Sequence, residues 1–210
     1  MKEAIERGLA EPMPRAVSPM LPREAREPFR KEGWYFELKY DGFRAVALID
    51  RGNVRLHSRT LNDFPESFTP VKRVLREIPH QAVLDGEVVV LDDEGRAQFQ
   101  WIRNYSSGKP GKLAYFIFDL LYLDGRNLMS LSLRERKAAL AELVPDLPNV
   151  RIVQHVETEG ELLFAQVRAM DLEGIVAKDS QSFYTPDKTT RSWLKVKNYV
   201  RHGWNKTVYR

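Results

Sequence analysis

Between residues 34 and 58 the chain places three apolar runs, Trp34 to Tyr40, Phe43 to Ile49 and Val54 to Ser58, with only Asp41-Gly42 and Arg51-Gly52-Asn53 turn signals between them. Short runs rich in aromatic and β-branched residues, broken by Asp-Gly and Gly-Asn pairs, read as strands. Connections this tight leave no room for the long crossover that parallel pairing requires, so the three strands pair antiparallel.

The rest of the chain mixes strands and helices without regular alternation. Glu66 to Ile78 carries a helical stripe of Phe68, Val71, Val74, Leu75 and Ile78. Strands are predicted at Ala82 to Leu91, Ala114 to Leu120, Val150 to Val156, Gly174 to Lys178 and Ser192 to Tyr199. Ser132-Leu133-Arg134-Glu135 has the spacing of a capping box opening a helix to Val144, and Thr158-Glu159-Gly160-Glu161 opens another to Ala169. This order predicts an α+β fold of antiparallel sheets flanked by helices rather than a doubly wound parallel sheet. Residues 1–33, interrupted by Pro12, Pro14, Pro19, Pro22 and Pro28, form a leading segment with space for a short helix before Pro12. Residues 34–199 are read as one domain and 200–210 as a basic tail.

Composition bounds the chemistry. With no cysteine among 210 residues, disulfides, thiolate nucleophiles and Cys-held metals are excluded, and the four histidines are too scattered for a His-based metal site. No apolar run approaches 18 residues and no hydrophobic leader follows Met1-Lys2, so the expectation is a cytoplasmic protein. From Lys188 to Arg210 there are seven cations and no acid, interleaved with Trp193, Tyr199, Trp204 and Tyr209. Such a stretch suits a polyanion, although composition alone fits an ordinary solvated basic end.

The first strand ends in Lys39-Tyr40-Asp41-Gly42-Phe43-Arg44. A K-x-D-G-x-R spacing arises by chance in about one chain in a thousand of this size. Strand alternation puts Tyr35, Glu37, Lys39 and Asp41 on one face and Phe36, Leu38 and Tyr40 on the other. Glu37 and Lys39 then stand about 7 Å apart, enough for a nucleotide to lie along the strand. A lysine amine in water titrates near ~10.4, so nucleophilic use requires activation by neighbouring cations, bound metal or desolvation.

Three later segments supply partners. In Leu84-Asp85-Gly86-Glu87, Asp85 and Glu87 share the face opposite Leu84 and Gly86, where they could hold Mg²⁺, meet a ribose or pair with an arginine across strands. Glu173 opens an apolar strand that Lys178 closes, and Trp193-Leu194-Lys195-Val196-Lys197 sets two lysines on one face, where they could neutralise charge developing at phosphorus.

In this order the segments resemble the covalent nucleotidyltransferases, most closely the ATP-dependent DNA ligases of the bacterial end-joining type. Ser58-Arg59 resembles the arginine motif of that family and Phe118-Asp119-Leu120-Leu121-Tyr122-Leu123-Asp124-Gly125 its aromatic motif, and the likeness runs from about Ser18 to Lys197. The resemblance implies that Lys39 attacks the α-phosphorus of ATP, carries AMP and passes it to a 5′-phosphate at a nick or break in double-stranded DNA. It implies Lys39, Asp41, Lys195 and Lys197 as catalytic residues. Glu37 would meet the adenine edge, Arg44 and Glu87 the ribose side, Phe118 and Val176 the base, and Arg59 phosphate. Lys195 and Lys197 would hold the α-phosphate, while Glu173, with Glu87, would place Mg²⁺ or Mn²⁺.

Two departures stand out. Leu61 occupies a position where related ligases commonly carry glycine, and the 13 residues after Lys197 leave no room for the OB-fold domain that follows in the family. The expectation is therefore slow self-adenylation, with an OB-fold domain or end-joining proteins acting in cis or in trans, and action at the nucleoid when DNA is bound. An RNA ligase or capping-type nucleotidyltransferase, and a non-catalytic DNA-binding scaffold that retains the pocket, are the alternatives.

Overall fold

The computed structural model describes residues 2–105 and 110–199. In chain order the elements are α1 (Lys2–Glu6), β1 (Leu9–Ala10), β2 (Leu21–Glu24), β3 (Trp34–Leu38), β4 (Phe43–Asp50), β5 (Asn53–Ser58), a 3₁₀ turn (Glu66–Phe68) and α2 (Thr69–Leu75). They continue with β6 (Ala82–Leu91), α3 (Phe99–Arg103), β7 (Lys112–Leu123), β8 (Arg126–Asn127), α4 (Leu133–Leu143), β9 (Val150–Ile152), β10 (His155–Glu157), α5 (Gly160–Ala169), β11 (Gly174–Asp179) and β12 (Thr189–Lys197).

Two sheets result, and the fold is α+β as expected. One runs β1-β8-β7-β6-β4-β5 with β9 added beside β7, and the other runs β10-β3-β11-β12-β2. Pairing is antiparallel except for β9 on β7 and β2 on β12. Alternation divides the side chains into three layers. Ala45, Ala47, Ile49, Leu84, Val88 and Val90 face a core that the stripe of α2 and the inner face of α4 complete. Val46, Leu48, Val83, Leu121 and Tyr122 face the other sheet, meeting Tyr35 and Trp193. Trp34, Phe36, Ile175, Ala177 and Val196 turn outward and are covered by Val167 of α5.

Several sequence expectations need correction. Val150 to Val156 is not one strand: β9 pairs with β7 and β10 with β3, so the segment crosses from one sheet to the other at Val153 and Gln154. Ser132 and Glu135 form the capping box reciprocally, but Thr158 caps nothing. Its φ is 69°, its N–H binds Trp34 O at 3.0 Å, and the helix begins after Glu159 without a side-chain cap. The segment Glu66 to Ile78 splits into the 3₁₀ turn and α2, and its apolar stripe nevertheless points inward. The first strand stops at Leu38, so Tyr40 leaves the alternation and stacks on Phe116 at 4.1 Å between ring centroids. Trp193 is buried between Phe118 and Tyr184, not part of an exposed aromatic surface. The tail 200–210, with Trp204 and Tyr209, lies outside the described residues.

Candidate active site

The polar faces of β3, β4 and β6 all turn toward the space between the sheets, which opens there into a cavity of about 420 Å³. Glu37, Lys39, Arg44, Arg59, Glu87, Phe118, Val176 and Lys195 line it, eight of the positions expected from the sequence. Asp41, Glu173 and Lys197 do not line it but gather at its mouth around Lys39: Lys39 Nζ lies 2.6 Å from Glu173 Oε1, and Asp41 and Lys197 are close enough to influence the Glu173 carboxyl.

Backbone contacts fix that mouth. Lys39 N–H donates to Gly174 O at 2.9 Å. A Cβ at Gly174 would stand 2.2 Å from Val196 O, and one at Gly42 would stand 2.3 Å from Val88 O. Neither position admits a side chain without displacing backbone.

Arg44 and Asp85 settle the cross-strand question raised by the sequence. Arg44 donates to both Asp85 oxygens, at 2.6 and 2.7 Å, and to Met20 O at 3.2 Å. Tyr184 hydroxyl donates to Asp85 Oδ2 at 2.6 Å and accepts from Met20 N–H at 2.9 Å. Asp85 is thus the arginine's partner, and Glu87, directly opposite Arg44 in the β4–β6 register, is left for the cavity. Burial pushes the Glu87 carboxyl up to about 7, against the influence of Lys39 and Arg44.

Phe118 reaches the cavity through a bulge. Asp85 pairs with Asp119 and Gly86 with Ile117, which leaves Phe118 as the extra residue of β7. Bulges of this kind re-aim a side chain beside a site. The ring carries Lys178 Nζ at 4.0 Å and the Arg44 guanidinium at 4.5 Å. Asp119, in the same aromatic motif, faces away and forms a fully buried pair with Arg136 of α4.

Two lysines without a role in the sequence reading complete the interior. Lys178, on the same side of β11 as Val176, lies 2.6 Å from Glu37 Oε2, and Lys137 of α4 lies 2.6 Å from Oε1. Burial is the largest influence on Glu37 and pushes it up, but the two lysines together outweigh it and hold the carboxyl low. Burial brings Lys178 down to about 8. Lys178 was legible as the strand partner of Val176 by alternation, whereas nothing in the helical stretch of Lys137 signals its contact with Glu37.

At the opposite end the cations converge. Lys195 is lowered by burial first and then by Lys197, Lys39 and Arg59, which together form a positive rim suited to phosphate. Glu173 Oε2 is buried without a partner, and burial raises the carboxyl. Among the described residues no group of three or more His, Cys, Asp or Glu is placed to hold a metal. Two carboxylates fit Mg²⁺ or Mn²⁺, ions bound through one or two carboxylates with water and phosphate completing the shell.

Residues 14–197 match the family described as the ATP dependent DNA ligase domain. The chain belongs to that family. It is 35% identical over 185 residues to the SPbeta prophage-derived DNA ligase-like protein LigB of Bacillus subtilis, covering 87% of this chain and 68% of that protein. It is 34% identical over 194 residues to the multifunctional non-homologous end joining protein LigD of Pseudomonas aeruginosa, covering 90% of this chain and 23% of LigD. Among solved structures, mycobacterial DNA ligase D complexed with ATP and MES superposes with a TM-score of 0.79 at 32% identity, over 90% of this chain and 61% of that one. This ligase domain therefore spans about a quarter of the end-joining protein and about two thirds of the prophage one. No helix among its described residues is long and apolar enough to cross a membrane.

Proposed function

We propose that this domain forms a covalent lysyl-AMP at Lys39 and transfers the AMP to the 5′-phosphate of nicked or broken double-stranded DNA. The observation that carries the reading is that Lys39 lines one cavity with Glu37, Arg44 and Phe118 and with the cations Arg59 and Lys195, Lys197 lying beside Lys195.

The ammonium of Lys39 first loses a proton. Glu173, paired with that ammonium at 2.6 Å, is the carboxylate within reach to take the proton before it turns to the metal. The free amine attacks the α-phosphorus of ATP; the N–P bond forms as the bond to pyrophosphate breaks. Charge developing on the α-phosphate oxygens meets Lys195 and Lys197, and Arg59 faces the departing phosphates. Mg²⁺ held by Glu173 and Glu87 would supply additional neutralisation of phosphate charge. The adenosine lies toward Arg44, Glu87, Phe118 and Val176, with Glu37 at the base edge.

A DNA 5′-phosphate oxygen then displaces Lys39 from phosphorus, giving a 5′-adenylated end from which a 3′-hydroxyl expels AMP. Residues 1–33 belong with the catalytic domain: Met20 binds Arg44 and Tyr184, and β2 extends the sheet that carries Lys195. An OB-fold domain or end-joining proteins acting at the nucleoid would accelerate closure on DNA.

The test is incubation with Mg²⁺ and α-labelled ATP, with intact-mass detection of the adduct. Wild type acquires one AMP, GTP gives none, and Lys39→Ala abolishes labelling. Labelling that persists in Lys39→Ala overturns the assignment of the nucleophile; labelling by GTP alone points to capping chemistry. Absence of label even with an OB-fold domain supplied in trans points to a scaffold.

A further inference from the structure

Glu37 is a cavity-lining carboxylate that is only 2% exposed, with one ammonium on each of its oxygens. Lys178 lines the same cavity, but Lys137 does not; it enters from α4 behind the wall. Its Nζ lies 2.6 Å from Glu37 Oε1 and donates to Phe118 O at 3.4 Å and Val153 O at 3.3 Å. These three oxygens are the polar neighbours of its ammonium, two as hydrogen-bond acceptors and Glu37 as an ion-pair partner. Two of them belong to the residues that bound the cavity at its base end, and the third is where the chain crosses between the sheets.

The geometry points to Lys137 as a positioning residue for nucleotide recognition: from outside the cavity it fixes the Glu37 carboxylate and the Phe118 bulge so that Glu37 accepts an N–H from the base edge of a purine nucleotide. This rests on the proposed nucleotide site. A carboxylate held by Lys178 alone would turn toward that single cation, over the Phe118 ring, and leave the base edge. With Lys137 in place, opposing pulls on the two oxygens hold the carboxylate plane, and each oxygen keeps a lone pair for a further donor. Recognition of an amino group by a fixed buried acceptor is the arrangement that rejects an analogue lacking that group.

The test compares self-adenylation with ATP and with purine riboside triphosphate, which lacks the 6-amino group, in wild type, Lys137→Met, Glu37→Gln and the double variant. Wild type should favour ATP at least about tenfold in kcat/KM. Lys137→Met should raise KM for ATP about tenfold, leave kcat within about twofold and shrink the ATP preference to within about threefold. In the Glu37→Gln background the same change should add less than about twofold, because its effect runs through Glu37. An equal penalty in both backgrounds, or an undiminished preference for ATP in Lys137→Met, overturns the inference. Should Lys137→Met fail to fold, Lys137→Gln, which keeps polar contacts to the two carbonyls without the charge, takes its place: a shrunken ATP preference supports the inference and an undiminished one overturns it. A wild type that forms no AMP adduct refutes the proposed function itself, an outcome distinct from all of these.

Discussion

At the residue scale, the site is built from charges that the fold pushes away from their ordinary behaviour, and Glu87 shows the consequence most directly. Its carboxyl titrates from 4.5 in an unfolded chain but is pushed up to about 7 by burial. Between those values the unfolded chain has released a proton that the folded chain retains, so folding stability falls as pH rises from 4.5 and levels off above 7. The cavity wets Glu87 partly, which places the cost at about 2 kcal/mol rather than the full shift. In metal-free buffer, Glu87→Gln should match wild type by urea denaturation near pH 4.5 and exceed it by about 2 kcal/mol at pH 8; a constant difference across that range refutes the account. Strand alternation put Asp85 and Glu87 on one face without dividing their roles, and the family resemblance assigned a role only to Glu87. That division depends on Tyr184 and Met20, remote in the chain, which commit Asp85 to Arg44.

At the element scale, legibility follows the range of the interaction that defines the element. Strands β4, β5 and β6 and helix α4 carry their period and caps locally, and their positions follow from sequence within a few residues. The edge strand β2 is Leu-Pro-Arg-Glu, which has no strand signal and exists because β12 offers a parallel edge. The Phe118 bulge is equally invisible, since it is a property of β6–β7 register and not of either strand. Beside the apolar packing of α4 on β7, the two are joined by the Asp119–Arg136 pair, with Arg136 also donating to Leu131 O and Ser182 O at 2.6 and 3.1 Å. Both side chains are fully buried. Asp119→Ala strands a guanidinium in the interior and should cost about 3–5 kcal/mol, whereas Asp119→Leu with Arg136→Met should recover most of that. Equal losses in the single and double variants would show that packing, not charge, makes this contact.

At the scale of the whole molecule, no single sheet contains the site. Arg44, Glu87 and Phe118 come from one sheet, and Glu37, Val176, Lys178 and Lys195 come from the other, with the Arg44–Asp85–Tyr184–Met20 network joining the two. A nucleotide in this cavity therefore contacts both layers, and binding free energy is added to whatever holds them together. Native-state hydrogen exchange resolves this coupling, because it reports opening strand by strand. Saturation with Mg²⁺ and α,β-methylene-ATP, which Lys39 cannot cleave between the α and β phosphates, should slow exchange in β6 and β7 and equally in β11 and β12. Protection confined to one pair of strands would mean that the nucleotide lies on one sheet, and that the convergence of Glu37 and Glu87 on a single ligand is wrong. Protection in both, lost together in Asp85→Asn, would identify the buried arginine network as the coupling between the layers.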